Sequence, residues 1–254
     1  FLYFKKNEKI EWAASTPGIK RWISVFLSWI LGEKIKEIDK NLIRKNNLNF
    51  VNSEFTKKTI DSIYNLNSIV SYPPIDPKIK PFYSNIRNKE LFIFSCGRVI
   101  PDKKYEWLIK SVSFMKNKIP VYLAGQGEKK YINSLKNLAN KLGVKLIFLE
   151  KLNTEQLIKY YSQAELFAFS TPKEDFGLVP AESITCGTPC VIWGDGSGPT
   201  EQIIDGINGF YAKPYDLKDF ADKMDLCISK KFKEKNINKI IKSSEKFSAE
   251  VVKK

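Results

Sequence analysis

Histidine is absent from all 254 residues, and that absence removes whole classes of chemistry at the outset. No Ser/His or Cys/His catalytic pair can be assembled within this segment, and there is no imidazole to complete a zinc shell. The four cysteines, Cys96, Cys186, Cys190 and Cys227, include no C-x-x-C pair and read as buried thiols. No apolar run reaches the roughly 20 residues that a bilayer crossing needs. Acidic residues are also in deficit: 28 against 42 basic ones leaves a net charge of +14. That balance suits nucleic acid, an anionic membrane surface or phosphorylated small molecules, and equally a lysine-rich solvated surface. Lysines crowd most densely around Lys230, Lys231, Lys233 and Lys235.

What is present is a regular alternation. From Leu91 onward, short β-branched or aromatic runs alternate with longer amphipathic stretches, the pattern of a parallel sheet with crossover helices. Strands are expected at Leu91–Ser95, Val121–Ala124, Lys145–Leu149, Glu165–Phe169 and Cys190–Trp193, with a further short piece at Phe210–Lys213. Helices are expected near Tyr105–Lys116, Lys129–Leu142, Thr154–Ser162, Leu178–Cys186 and from Leu217 onward. This predicts an α/β fold with a Rossmann-like, doubly wound parallel sheet.

The prolines of Ser71-Tyr-Pro-Pro-Ile-Asp-Pro77 mark an extended linker. The expected organisation is therefore closing elements of a preceding domain in 1–72, a linker in 73–90, the Rossmann-like domain in 91–228 and C-terminal helices in 229–254. The chain, which opens on Phe1, is expected to be a piece of something longer. Trp22, Val25, Phe26, Trp29 and Ile30 recur at helical spacing between Lys20, Arg21, Lys34 and Lys36. That helix suits either a core position in the preceding domain or a membrane interface.

Two segments fall at carboxyl ends of expected strands, where open α/β sheets bind ligands. In Ser95-Cys-Gly97-Arg98-Val-Ile-Pro-Asp-Lys103-Lys104, a glycine permits close backbone approach, and Arg98 and Lys103 can reach one pyrophosphate across a turn. Two surface cations in a loop would read the same. In Glu174-Asp-Phe-Gly-Leu-Val-Pro-Ala-Glu182, a helix starting near Gly177 sets Glu182 about 7 Å further along its axis. Two acceptors so separated suit the two ends of a nucleotide-sugar, an acid/base pair of a hydrolase, or a charged surface. Gly125-Gln-Gly127 lacks the third glycine of a dinucleotide fingerprint and argues only for a tight turn.

As an ordered series these segments resemble the retaining GT-B glycosyltransferases of glycosyltransferase family 4, the glycosyl transferases group 1. The series also includes Val51-Asn-Ser-Glu-Phe-Thr56, Tyr72-Pro-Pro-Ile-Asp76, Cys186-Gly-Thr-Pro189 and Asp205-Gly-Ile-Asn-Gly209. The resemblance implies a GT-B fold with two Rossmann-like domains, the second of which holds the donor. It implies that Arg98 and Lys103, beside Gly97, hold the donor diphosphate and stabilise its growing charge. It also implies that Glu174 and the Phe176 and Gly177 backbone contact the donor sugar, that Leu178 belongs to the donor-binding set, that Glu182 takes the ribose and that Leu152 sits by the base.

Transfer with retention of configuration, without metal or cofactor, would follow. The expected donor is a GDP- or UDP-sugar, GDP-mannose among them; the expected acceptor is a glycan, polysaccharide or lipid-linked molecule. No nucleic acid is expected as a partner. A cytoplasmic location is, with a peripheral membrane surface as a further partner. A nucleotide-sugar-binding or regulatory module without transfer activity is the alternative. Two departures, Glu150 and Lys104 where relatives commonly carry glycine, bear on the identity of the base.

Overall fold

The computed structural model describes Ile10 and residues 18–82, 90–229 and 231–252. It divides into two compact units. One takes the chain to Phe50 together with Lys58–Ile69; the other takes Val51–Lys57 and the chain from Val70 onward. The N-terminal elements are α1 (Ile19–Ile30), α2 (Gly32–Ile43), β1 (Phe50–Val51), α3 (Glu54–Tyr64) and β2 (Ile69–Val70). In α1 only Val25 and Ser28 are buried, whereas Trp22, Phe26, Trp29 and Ile30 are each 49% exposed or more. The apolar stripe read from the sequence thus faces outward within its own unit.

The second unit carries β3 (Ile93–Cys96), α4 (Tyr105–Phe114), β4 (Val121–Ala124), α5 (Lys129–Lys141) and β5 (Leu146–Leu149). It continues through α6 (Thr154–Gln163), β6 (Leu166–Phe169), α7 (Leu178–Thr185), β7 (Cys190–Trp193) and β8 (Gly209–Ala212). It closes with α8 (Leu217–Ser229), α9 (Phe232–Ser243) and α10 (Ala249–Val252). The six strands from β3 to β8 form one parallel sheet in the order β5-β4-β3-β6-β7-β8. This is the doubly wound order, in which the chain works outward from β3 to one edge and then from β6 to the other.

Strand alternation explains why these runs are apolar on both faces. Ile93, Leu166, Ala168, Val191 and Trp193 point to a core shared with α4, α5 and α8. Their neighbours Phe92, Phe94, Phe167, Phe169, Cys190 and Ile192 point to a second core shared with α6, α7 and α9. Pairing of β3 begins at Ile93 rather than Leu91, because its register partner Val121 follows Pro120, which has no N–H to give. The start of α6 is fixed by a reciprocal cap: Asn153 Oδ1 accepts from Gln156 N at 2.9 Å, and Gln156 Oε1 accepts from Asn153 N at 3.0 Å.

The proline segment packs onto this unit. Ile75 and Ile79 are buried, and Ile75 N donates to Phe247 O at 2.9 Å. Residues 83–89 of the expected linker lie outside the described residues. Residues 229–254, expected to reach the preceding domain, place α9 against α7. Gly187 lets α9 come close, since a Cβ there would stand 2.9 Å from Ile237 Cγ1.

A partly buried lysine anchors α9. Lys233 Nζ donates to Ser162 O, Ala164 O and Thr188 Oγ1 at 2.6–2.7 Å. Burial pushes its amine down to about 8, against a partial lift from the Glu165 carboxylate. Between that value and its ordinary 10.5, the unfolded chain binds the proton that the folded one has released, so stability rises with pH across this window. The expected result is that the Tm of the native chain gains on that of Lys233→Met between pH 8 and 10.5, by an amount on the order of 3 kcal/mol in stability. A difference that stays flat or falls over that range would contradict this account.

Candidate functional site

The sheet order places β3 and β6 side by side while their onward connections leave in opposite directions, which opens a crevice at their carboxyl ends. The loops following these two strands carry most of the residues singled out in the sequence. Lys103 ends a short 3-10 turn, Pro101–Lys103, and the left-handed Lys104 (φ 53°) then starts α4. Ser170 Oγ lies 3.3 and 3.2 Å from the carbonyls of Lys103 and Lys104, to which it donates, and Trp193 Nε1 donates to Ser170 O at 2.8 Å. The turn is thereby fixed from β6 and β7.

Across the crevice, Lys103 Nζ donates to Glu174 Oε2 at 2.5 Å, with both side chains largely withdrawn from water. Two groups 71 residues apart in sequence are thus joined. Arg98 is exposed, and no ion pair reaches it among the described residues. Gly97 (φ 146°) stands over the Tyr105 hydroxyl, which a Cβ would meet at 3.0 Å. The Gly125-Gln-Gly127 turn has a structural purpose that its sequence did not disclose. A Cβ on Gly125 would lie 1.9 Å from Gly97 O and one on Gly127 would lie 2.0 Å from Val99 O, so both glycines are needed for the Gly97–Val99 backbone to pass.

The loop from Glu174 to Gly177 is held by its carbonyls. Gly198 N donates to Glu174 O at 2.9 Å, and Ser53 Oγ donates to Asp175 O at 2.6 Å. Gln202 Nε2 donates to Phe176 O at 2.5 Å and to Gly177 O at 2.9 Å. The Phe176 ring is buried beside Tyr72 and Phe247, at centroid distances of 5.7 and 5.6 Å, so only the backbone of Phe176 is left to meet a ligand. Gly177 (φ 71°) then opens α7, whose first turn has no side-chain cap. Among the described residues no acceptor meets the N–H groups of Asp175 through Val179. Carbonyls tied behind and amides free in front make this loop a donor surface for anions or hydroxyls, reinforced by the positive end of α7.

Glu182, one turn into α7, accepts from Tyr161 Oη at 2.8 Å, and its carboxyl is pushed up chiefly by burial. Asp175 is also raised, by burial first and then by the neighbouring Glu174 carboxylate. Leu178 is exposed at the head of α7, and Leu152 is half-buried against the core that contains Phe176 and Ala181. The structure therefore groups Gly97, Arg98, Lys103, Glu174, Phe176, Gly177 and Leu178 at adjoining loops of one sheet edge. Glu182 and Leu152 lie along the α6 and α7 side of the same sheet.

Ser53, Gly198, Glu201 and Gln202 support the site through contacts that no local spacing in the sequence marks. Glu201 caps the start of α3, accepting from Glu54 N and Phe55 N at 3.0 Å each, and also accepts from the Tyr72 hydroxyl at 2.9 Å. Burial, then the Glu201 hydrogen bond, pushes that phenol up to about 12.

Comparison with known proteins places the chain in a family. The chain is 32% identical over 131 residues to the D-inositol 3-phosphate glycosyltransferase of Mycolicibacterium smegmatis, covering 50% of this chain and 30% of that enzyme. It thus spans about a third of the length of the curated relatives it matches. Among solved structures, Anabaena HepE in complex with UDP and glucose superposes with a TM-score of 0.76 at 21% identity, covering 85% of this chain and 64% of that one. The catalytic domain of the Helicobacter pylori cholesterol-α-glucosyltransferase matches at 26% identity and a TM-score of 0.56, over 63% of this chain and all of that one. The fold is that of the GT-B glycosyltransferases. The family model for the glycosyl transferases group 1 matches residues 77–247, and the chain belongs to that family.

Proposed function

We propose that this chain is the donor-binding part of a glycosyltransferase that moves a sugar from a nucleotide-sugar to a glycan, polysaccharide or lipid-linked acceptor. The observation that carries the reading is the meeting of Lys103 and Glu174 across the switch point of the sheet. A cation and a carboxylate there are placed to grip the phosphate and sugar portions of one ligand. The names of the D-inositol 3-phosphate glycosyltransferase and of the UDP- and glucose-bound HepE point the same way.

In this reading Arg98 and Lys103 neutralise the charge that grows on the leaving diphosphate as the glycosidic bond breaks. Glu174 shifts from Lys103 to a sugar hydroxyl, while the free amides of Phe176, Gly177 and Leu178 donate to the sugar or the adjoining phosphate. Glu182 accepts from the ribose, and Leu152 flanks the base. Transfer proceeds with retention and without metal or cofactor, from a GDP- or UDP-sugar such as GDP-mannose. The location is cytoplasmic, with the acceptor offered from a membrane surface or a soluble glycan.

The test is to supply the full-length protein with a panel of UDP- and GDP-sugars and candidate acceptors and to measure nucleotide release, with NMR of the product anomer. Release from at least one donor, with the anomeric configuration kept, is the expected result. Tight donor binding without release in any mixture would instead favour a binding module, and neither binding nor release by a folded protein would defeat both readings.

A further inference from the structure

The hydrogen bond that Glu182 receives has no part in the mechanism above, yet it comes from a fully buried phenol. Tyr161 lies on the inner face of α6 with no exposure, its ring set edge-on to Phe94 at 5.2 Å and beside Phe167 at 5.5 Å. Its backbone is held too, because Thr188 Oγ1 donates to Tyr161 O at 2.5 Å. The hydroxyl stands 2.8 Å from Glu182 Oε2 and 3.1 Å from Cys96 Sγ. A phenol has one proton to give. With that proton directed at the carboxylate, the Cys96 thiol donates in turn to the phenol oxygen, and the order Cys96 to Tyr161 to Glu182 is set.

A carboxylate pinned through one oxygen by a ring that cannot turn is limited in rotamer. Its other oxygen, Oε1, meets no donor among the described residues. Cys96 is the last residue of β3, so this relay reaches from the sheet edge beside Gly97 to the second turn of α7.

We propose that Tyr161 is the positioning residue that aims Glu182 at the ribose hydroxyls, and that it thereby sets the preference of this site for a ribonucleotide over a deoxyribonucleotide donor. The proposal rests on the assignment of Glu182 to the ribose. It requires that loss of the phenol oxygen weaken only those donors that carry the hydroxyls Glu182 receives. A purely structural tyrosine would affect all donors alike.

The experiment uses the full-length protein, the ribonucleotide donor it turns over, and the 2′,3′-dideoxy analogue of that donor. Phe keeps the ring packing against Phe94 and Phe167, so Tyr161→Phe is expected to stay folded by circular dichroism. Its KM for the ribonucleotide donor should rise about tenfold, with kcat moving far less and KM for the dideoxy donor holding steady. Glu182→Gln should remove the same discrimination, and the double variant should be no worse than Glu182→Gln alone.

Equal increases in KM for both donors in Tyr161→Phe, or additive effects in the double variant, would overturn the positioning role. If Glu182→Gln leaves the preference for ribose intact, the ribose assignment itself falls. If Glu182→Gln abolishes the preference while Tyr161→Phe keeps it, only the present inference falls.

Discussion

Lys103→Ala in the full-length protein is expected to lower kcat about a hundred- to a thousandfold, the largest loss of any single charge removed from this site. The expectation follows from where the amine is held. Its turn is tied down through Ser170 and Trp193, so the ammonium is preorganised and little reorganisation accompanies the growth of charge on a leaving diphosphate. Arg98 shares the task from an exposed position, where solvent screens it more, and Arg98→Ala is expected to cost less than Lys103→Ala. Lys103→Arg restores charge but not shape, since a planar fork replaces a compact ammonium in contact with one carboxylate oxygen, and rescue should be partial. Single-turnover rates at saturating donor separate this chemical effect from binding. A fall of less than tenfold in a folded Lys103→Ala protein that still turns over its donor would remove Lys103 as the principal electrostatic catalyst.

The sheet was legible in the sequence because both of its faces are buried. Runs such as Phe92–Phe94 and Leu166–Phe169 must be apolar at every position when alternate residues enter two different cores. Helix positions could be read from local amphipathic periodicity, whereas the reciprocal Asn153–Gln156 cap emerged only in the structure. Lys103 and Glu174 could each be placed at a strand end, but their contact could not, because it depends on β3 and β6 being neighbours. The groups that hold the donor loop were less legible still. Ser53 acts on Asp175 from 122 residues away, and Glu201 caps α3 across 147. Nothing local in the sequence marks Tyr161, on an amphipathic helix, as a ring whose hydroxyl reaches a carboxylate on the next helix. Spacing reports the face a residue occupies, and a long-range hydrogen bond is invisible to it.

Gly198→Ala is expected to damage donor binding as severely as loss of a residue that touches the donor, although Gly198 contributes no side chain. A Cβ at this position would fall 1.8 Å from Asp175 O, 2.4 Å from Asp175 C and 2.6 Å from Phe176 Cα. All three are backbone atoms, so no change of rotamer relieves the clash. Either the Gly198–Glu201 turn retreats, breaking the bond from Gly198 N to Glu174 O, or the Glu174–Gly177 loop moves away from Ser53 and Gln202. Both displacements turn the loop amides away from the crevice. Overpacking of this kind costs about 1–3 kcal/mol, which should lower Tm by several degrees in a unit of this size. Donor KM is expected to rise at least about tenfold, because misaligned donors lose hydrogen bonds that water then replaces. Gly196→Ala is the matched control from the same loop. Nothing lies within 4 Å of its Cβ, and its penalty is confined to the left-handed backbone at φ 74°, about 1–2 kcal/mol in stability with donor affinity preserved. Isothermal titration with the nucleotide-sugar, alongside thermal denaturation, reads both quantities. Wild-type affinity in Gly198→Ala would show that the loop tolerates displacement and that its geometry is not what binds the donor; equal loss in both variants would point to general destabilisation instead.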